Sequence, residues 1–336
     1  MKNLKILGTM RSIAIVAAVV AVSFFALSLT GCEGPAGPKG AAGAAGPAGP
    51  IGPAGTDGQD YVPAVTAPIE KDATAATFDS VFKEIRTTPG SYVINLTGDL
   101  PDYPGIALST PGVEITVKGT GNNTISWLDN GGRDCLFSVS AGKLIIQDIK
   151  LAAAAGNNQV GYYYIINIQG GIVELKDGAH LSNSNTYGST GGVWLNVEGS
   201  ELIVSGGTIE DCGDCIEIYG CTGTSVTVTS GLIDGTYGIY IGDSGHNIVV
   251  SGGKINTQYN AISMQGVANT VTVSGAAEII SVDGYGIRTD GENQKLFING
   301  GRISGNDGCV DFWAKDSRMT MTAGEISGSQ RNGVDI

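Results

Sequence analysis

Proline disappears from this chain after Pro111, although the sequence runs on to residue 336. A stretch that long without proline excludes a loop-rich or low-complexity region. It fits interior strands, where every backbone N–H is needed as a donor. Charge is also scarce: Asp, Glu, Lys and Arg together make 15% of the residues, too few for a disordered chain or a solvated helical bundle. Cations are the scarcer sign, 19 against 32 acids. Three of the 19, Lys2, Lys5 and Arg11, fall in the first 31 residues, which hold no acid, so the remainder is more acidic still. Phosphates demand clustered cations, and nucleic acid is therefore not an expected partner. Histidine occurs twice, at His180 and His246, and no phosphate loop, nucleophile elbow or HExxH pattern is present. What remains is abundant glycine, 53 residues, in a chain that is 42% apolar.

The one long apolar run lies at the N-terminus. Ser12 to Leu29 follows the basic residues 1–11 and reads as a secretory signal. It ends Leu29-Thr30-Gly31-Cys32, which resembles the lipobox of bacterial lipoproteins. That resemblance implies cleavage after residue 31 and acylation of Cys32, with the acyl chains as the membrane partner. An uncleaved transmembrane helix is the competing reading. Glu33 is not the Asp that retains some lipoproteins at the inner membrane, so an outer membrane or cell-surface location is expected.

Residues 32–60 change period. Glycine stands at every third position from Gly34 to Gly58, with proline second in five of these nine triplets. The segment resembles bacterial collagen-like stalks, whose spacing exists because only glycine fits the axis of three wound chains. Extended at ~3.1 Å per residue, it would hold the following domain ~80 Å from the lipid. A homotrimer through 34–60 and a monomeric polyproline-type spacer both remain open.

Residues 61–112 read as a linker and N-terminal cap. Thr74 is a plausible N-cap for a helix over about 75–86, with Phe78, Val81, Phe82 and Ile85 on one face, and a strand is expected over about 92–96. From Val113 onward a phrase repeats. An apolar–x–apolar triplet (Val226/Val228, Ile248/Val250, Val271/Val273) precedes a Gly-rich turn, and a single isoleucine follows. Those isoleucines, Ile209, Ile233, Ile255, Ile279, Ile303 and Ile326, are spaced 24, 22, 24, 24 and 23 residues apart. A third short strand closes each unit, as in Ile216/Ile218 and Ile239/Ile241. Strands this short bury their aliphatic residues only by stacking unit on unit. The expected fold is all-β: a right-handed, single-stranded parallel β-helix of about nine coils of 22–24 residues over 113–336, behind a short capping helix and a collagen-like stalk. The pattern resembles the pectin-lyase-like superfamily. A leucine-rich repeat is the runner-up, but its Leu-x-x-Leu-x-Leu phrase and asparagine ladder are missing. Ile336 would be an inward residue of a closing strand and would need cover.

Enzymes of that superfamily work on the outward face of one sheet. The middle residues of the closing strands form such a row here: Asn196, Glu217, Tyr240, Ser263, Arg288, Asp311 and Asp335, with Trp194 beside the first. The resemblance makes Arg288 with Asp311 and Asp335 the nearest analogue of an arginine base beside Ca²⁺-binding acids, so a Ca²⁺-dependent polysaccharide lyase or hydrolase is the alternative function. The plain reading is a solvated ladder in which Arg288 and Asp311 form a surface ion pair. The favoured function has no catalysis: a non-enzymatic lipoprotein used for adhesion, ligand binding or surface assembly, with Trp194, Glu217, Tyr240 and Arg288 as the candidate binding surface for a glycan or protein. On another sheet the outward row alternates aliphatic or aromatic residues (Ile145, Ile203, Val249, Phe297) with Glu174 and threonines, a stripe that fits contact with another subunit. Cys212-Gly213-Asp214-Cys215 brings two cysteines close enough for a turn disulfide in an exported protein. The second Cys-x-x-Cys of a zinc signature is missing, and no metal site is expected from it.

Overall fold

A computed structural model describes residues 67–128, 135–153, 163–183, 190–328 and 330–335. The signal segment, Cys32 and the Gly-X-Y stretch lie outside the described residues, as does Ile336.

The chain is a parallel β-solenoid of right-handed type with about ten turns. After the first turn, each coil lays one strand on each of three sheets, and interior strands pair in parallel with their counterparts one turn above and below. In the first sheet, Lys143–Gln147 pairs with Ile172–Leu175, which pairs with the start of Glu201–Ile218. The register then continues through Val226, Ile248, Val271 and Leu296 to Met319. The second sheet stacks the single isoleucines: Ile209, Ile233, Ile255, Ile279 and Ile303 are register partners, each 0% exposed. Burying one isoleucine side chain is worth about 1.5–3 kcal/mol, so the column holds turn to turn without any charged contact. The third sheet stacks the closing strands.

The coil begins before Val113. Ile69–Ala73 already pairs with Gly90–Leu96, which pairs with Val113–Lys118. Pro101, Pro104 and Pro111 and a register break between Leu100 and Tyr103 disguise these turns in the sequence. In the first turn the helix Phe78–Ile85 stands where second- and third-sheet strands would otherwise lie. Thr77, not Thr74, is its N-cap; Thr74 instead accepts from the Thr77 and Phe78 amides in the turn before it. Phe78, Phe82 and Ile85 are buried, with Phe78 edge-on to Tyr103 at 5.6 Å and Phe82 at 6.2 Å from Phe137. The Arg86 guanidinium donates to the Ala107 carbonyl at 2.9 Å, satisfying an acceptor at the end of the third sheet.

At the corner before the first sheet, a polar ladder climbs the solenoid. The Thr224 amide donates to His246 Nδ1 (3.2 Å), the His246 amide to Asn269 Oδ1 (2.9 Å), the Asn269 amide to Gln294 Oε1 (3.1 Å) and the Gln294 amide to Ser317 Oγ (2.8 Å). Each of these side chains sits two positions before the first inward aliphatic of its turn, a constant offset that was readable in the sequence. Corner amides cannot reach a strand partner, and the ladder supplies one. Glycine is obligatory at some other corners: at Gly231 φ is +94°, and a Cβ would stand 2.2 Å from the Gly207 carbonyl oxygen.

Candidate functional site

The outward row of the third sheet is set by strand register. Trp194 pairs with Glu217, Glu217 with Tyr240, Tyr240 with Ser263, Ser263 with Arg288, Arg288 with Asp311 and Asp311 with Asp335. One position differs from the expected row. Trp194, not Asn196, is the partner of Glu217, because the strand Thr190–Leu195 ends before Asn196. Inward neighbours Ile216, Ile218, Ile239 and Ile241 are all essentially unexposed, and they fix the alternate residues outward.

Trp194, Glu217, Tyr240, Ser263 and Arg288 form the floor of a groove of about 670 Å³. Adjacent floor residues lie one rung, ~4.8 Å, apart. Asp214 and Tyr237, which are register partners of each other, rise on one side together with Asn260; Tyr219 and Gln265 stand on the other. The Trp194 ring stacks on Tyr164, at 5.5 Å between centroids and 28° between planes, which holds it in place. Tyr237 rests against Tyr259 at 5.4 Å. The Tyr240 hydroxyl donates to Gln265 Oε1 at 2.9 Å, fixing its ring across the groove. Ser263, only 5% exposed, is the low point between two large side chains.

The groove is electrically unbalanced at one end. Asp214 and Glu217 carry no hydrogen bond or ion pair among the described residues, and burial raises both carboxyls above their ordinary values. Burial likewise raises the Tyr240 phenol, and the charges of Glu217 and Asp214 push it further in the same direction. At the other end Arg288 is engaged. Its guanidinium donates to Asp290 Oδ1 at 3.1 and 3.3 Å, lies 3.8 Å from Asp311 Oδ2 and stands 5.9 Å from the Tyr285 ring centroid. Burial raises the Asp311 carboxyl; Arg288 pulls it down, while Asp290 and Asp335 push it up.

Arg288, Asp311 and Asp335 are thus brought together on consecutive rungs, as the row required. Arg288 faces the Asp311 carboxylate, and no group of three or more acidic, cysteine or histidine side chains is gathered at metal-binding distance among the described residues. Asp214, Tyr219 and Tyr237 were not singled out from the sequence. Their signal is visible afterwards: each flanks the alternating core of a closing strand, where the outward residue borders the row.

Cys212 and Cys215 are neighbouring thiols, both buried, and the contact with Cys212 together with burial pushes the Cys215 thiol well up. Burial holds the Cys221 thiol up as well, at about 11. The first-sheet row Ile145, Glu174, Ile203, Thr227, Val249, Thr272, Phe297 and Thr320 is in continuous register. Ile145 is only 4% exposed, and Glu174 is tied to Lys143 at 2.7 Å. On the second sheet His180 Nε2 lies 2.6 Å from Glu210 Oε1. Compared with family models, with curated proteins and with solved structures, the chain matches none.

Proposed function

We propose that this chain is a non-enzymatic, surface-displayed bacterial lipoprotein of pectin-lyase-like build: anchored through Cys32, spaced by the Gly-X-Y stalk, and binding a saccharide chain along the third sheet of its rod. The observation that carries this reading is the groove itself. Aromatic faces offer flat apolar surface for the C–H face of a sugar ring, and carboxylate, amide and hydroxyl groups between them accept or donate to its hydroxyls. The floor offers one side chain per rung, ~4.8 Å apart, a regular row for a ligand that is itself a regular repeat. A protein strand finds no such fit, since strand addition needs an unpaired edge and the third-sheet strands bordering the groove pair on both sides.

Hydrolysis is the second reading, and one observation favours it: two carboxyls, Asp214 and Glu217, line the same groove with raised values. Glycosidases divide the work between a protonated and an ionised carboxyl, whose environments push them apart. Here burial pushes both the same way, which supports binding over turnover. The lyase reading is weaker still, because the guanidinium of Arg288 is committed to Asp290 and Asp311.

The test incubates the full chain, in detergent, with immobilised neutral and acidic polysaccharides, with and without Ca²⁺. Retention without new reducing ends or unsaturated-product absorbance is expected; turnover lost on Arg288→Ala or Glu217→Gln would overturn the non-enzymatic reading. Acyl labelling that persists in Cys32→Ala would overturn the anchor.

A further inference from the structure

Asp214 and Glu217 pose a problem that a neutral sugar does not solve. Both are half-buried and neither has a charged or hydrogen-bonding partner among the described residues. The nearest cation of the groove, Arg288, is held by Asp290 and Asp311 three rungs from Glu217. The rings beside them, Trp194, Tyr219, Tyr237 and Tyr240, present electron-rich faces, the surroundings in which a cation is stabilised. A separate feature points to a polar ligand. Ser263 is only 5% exposed and lines the groove, and while its backbone belongs to the strand ladder, its hydroxyl has no partner among the described residues and is available to a ligand. Uronic acids and sulfated sugars would set anions against two unpaired carboxylates and are excluded by charge.

We infer that the groove takes a cationic saccharide: a chain whose units carry a protonated amino group, seated between Asp214 and Glu217 against the tyrosine and tryptophan rings. This rests on the saccharide reading above and names the substrate class of the same site. The ammonium neutralises the carboxylates, the sugar face lies on the rings, and a neighbouring hydroxyl meets Ser263.

Binding of the full chain to soluble glucosamine oligomers and to the same oligomers N-acetylated, measured by calorimetry at mildly acidic pH, separates charge from shape. The amino form is expected to bind roughly tenfold tighter, with the difference shrinking as salt is raised. Glu217→Gln and, separately, Asp214→Asn should each reduce that difference while leaving the acetylated form's binding in place; circular dichroism confirms that each variant is folded. Equal or tighter binding of the acetylated oligomers overturns the cationic inference and leaves the saccharide reading standing. Failure of every saccharide, amino, acetylated or neutral, overturns both. A lysine-rich peptide that binds as tightly as the amino oligomers overturns the saccharide class in favour of a protein cation.

Discussion

Gly242 leaves the space that the Tyr219 ring fills. A Cβ at position 242 would stand 2.6 Å from Tyr219 Cδ2 and 3.0 Å from Tyr240 Cε1. The glycine is therefore a sculpting residue of the groove, since it lets two rings from successive turns meet at one wall. Gly242→Ala should displace both. Loss of one aromatic platform is worth about 1 kcal/mol, and saccharide affinity should fall roughly fivefold. Titration calorimetry reads the loss, and unchanged affinity would remove the rings from the site.

Acid should stabilise the groove region. The carboxyls of Glu217 and Asp214 are raised by burial above their ordinary values of 4.5 and 3.8. A raised folded value means the protonated form is the favoured one in the folded state. The stability it contributes is complete below the ordinary value and lost as pH rises through the folded one. Glu217→Gln should consequently melt higher than the parent at neutral pH, with the gap closing in acid. A melting difference independent of pH would contradict the burial argument.

His246 should act in the opposite sense. Its Nδ1 accepts from the Thr224 amide, which requires that nitrogen to be unprotonated. Burial lowers its value below the ordinary 6.5, although Asp243 and the Cys221 backbone pull upward. A lowered folded value places its contribution above pH 6.5, to be lost as pH falls through the folded value. His246→Asn keeps an acceptor in the ladder and should flatten that acid-side loss, as thermal melts across pH would reveal.

The second-sheet isoleucine column should be the least forgiving element. Ile255 is 0% exposed, between Ile233 and Ile279. Ile255→Ala removes buried methyl groups from a column that cannot collapse without shortening the rod, and about 2–5 kcal/mol of stability should go with them. Arg288→Ala removes only partly exposed ion pairs and should cost under about 1 kcal/mol. Denaturant midpoints that rank these two the other way would refute the account of what holds the solenoid.

Much of the architecture was legible because repetition reports it many times over. The inward pairs Val226/Val228 and Ile248/Val250 recur on so constant a spacing that no other packing buries them all. The first turns escaped notice because proline and an irregular register interrupt the phrase there, and the capping helix takes the place of two strands. The polar corner ladder was also in plain view, as His246, Asn269, Gln294 and Ser317 hold one offset. Four different residue types perform one role there, and no single repeated letter marks it.

The candidate groove was half readable. Glu217, Tyr240, Ser263 and Arg288 follow from alternation alone, since an outward residue flanked by inward isoleucines has one place to go. Trp194 against Asn196 did not follow, because the closing strand of that turn ends two residues earlier than the count suggests.

By itself, the order of amino acids decided the period of the coil and which aliphatics face inward, for a side chain's direction in a strand is a local matter. Tertiary structure alone decided that Asp214, Tyr219 and Tyr237 join the row of Trp194, Glu217 and Tyr240 in one groove, and that Asp290 shares Arg288 with Asp311. Most of those partners lie on different coils of the solenoid, and the lengths of the corners between them, which set who faces whom, carry no local signature.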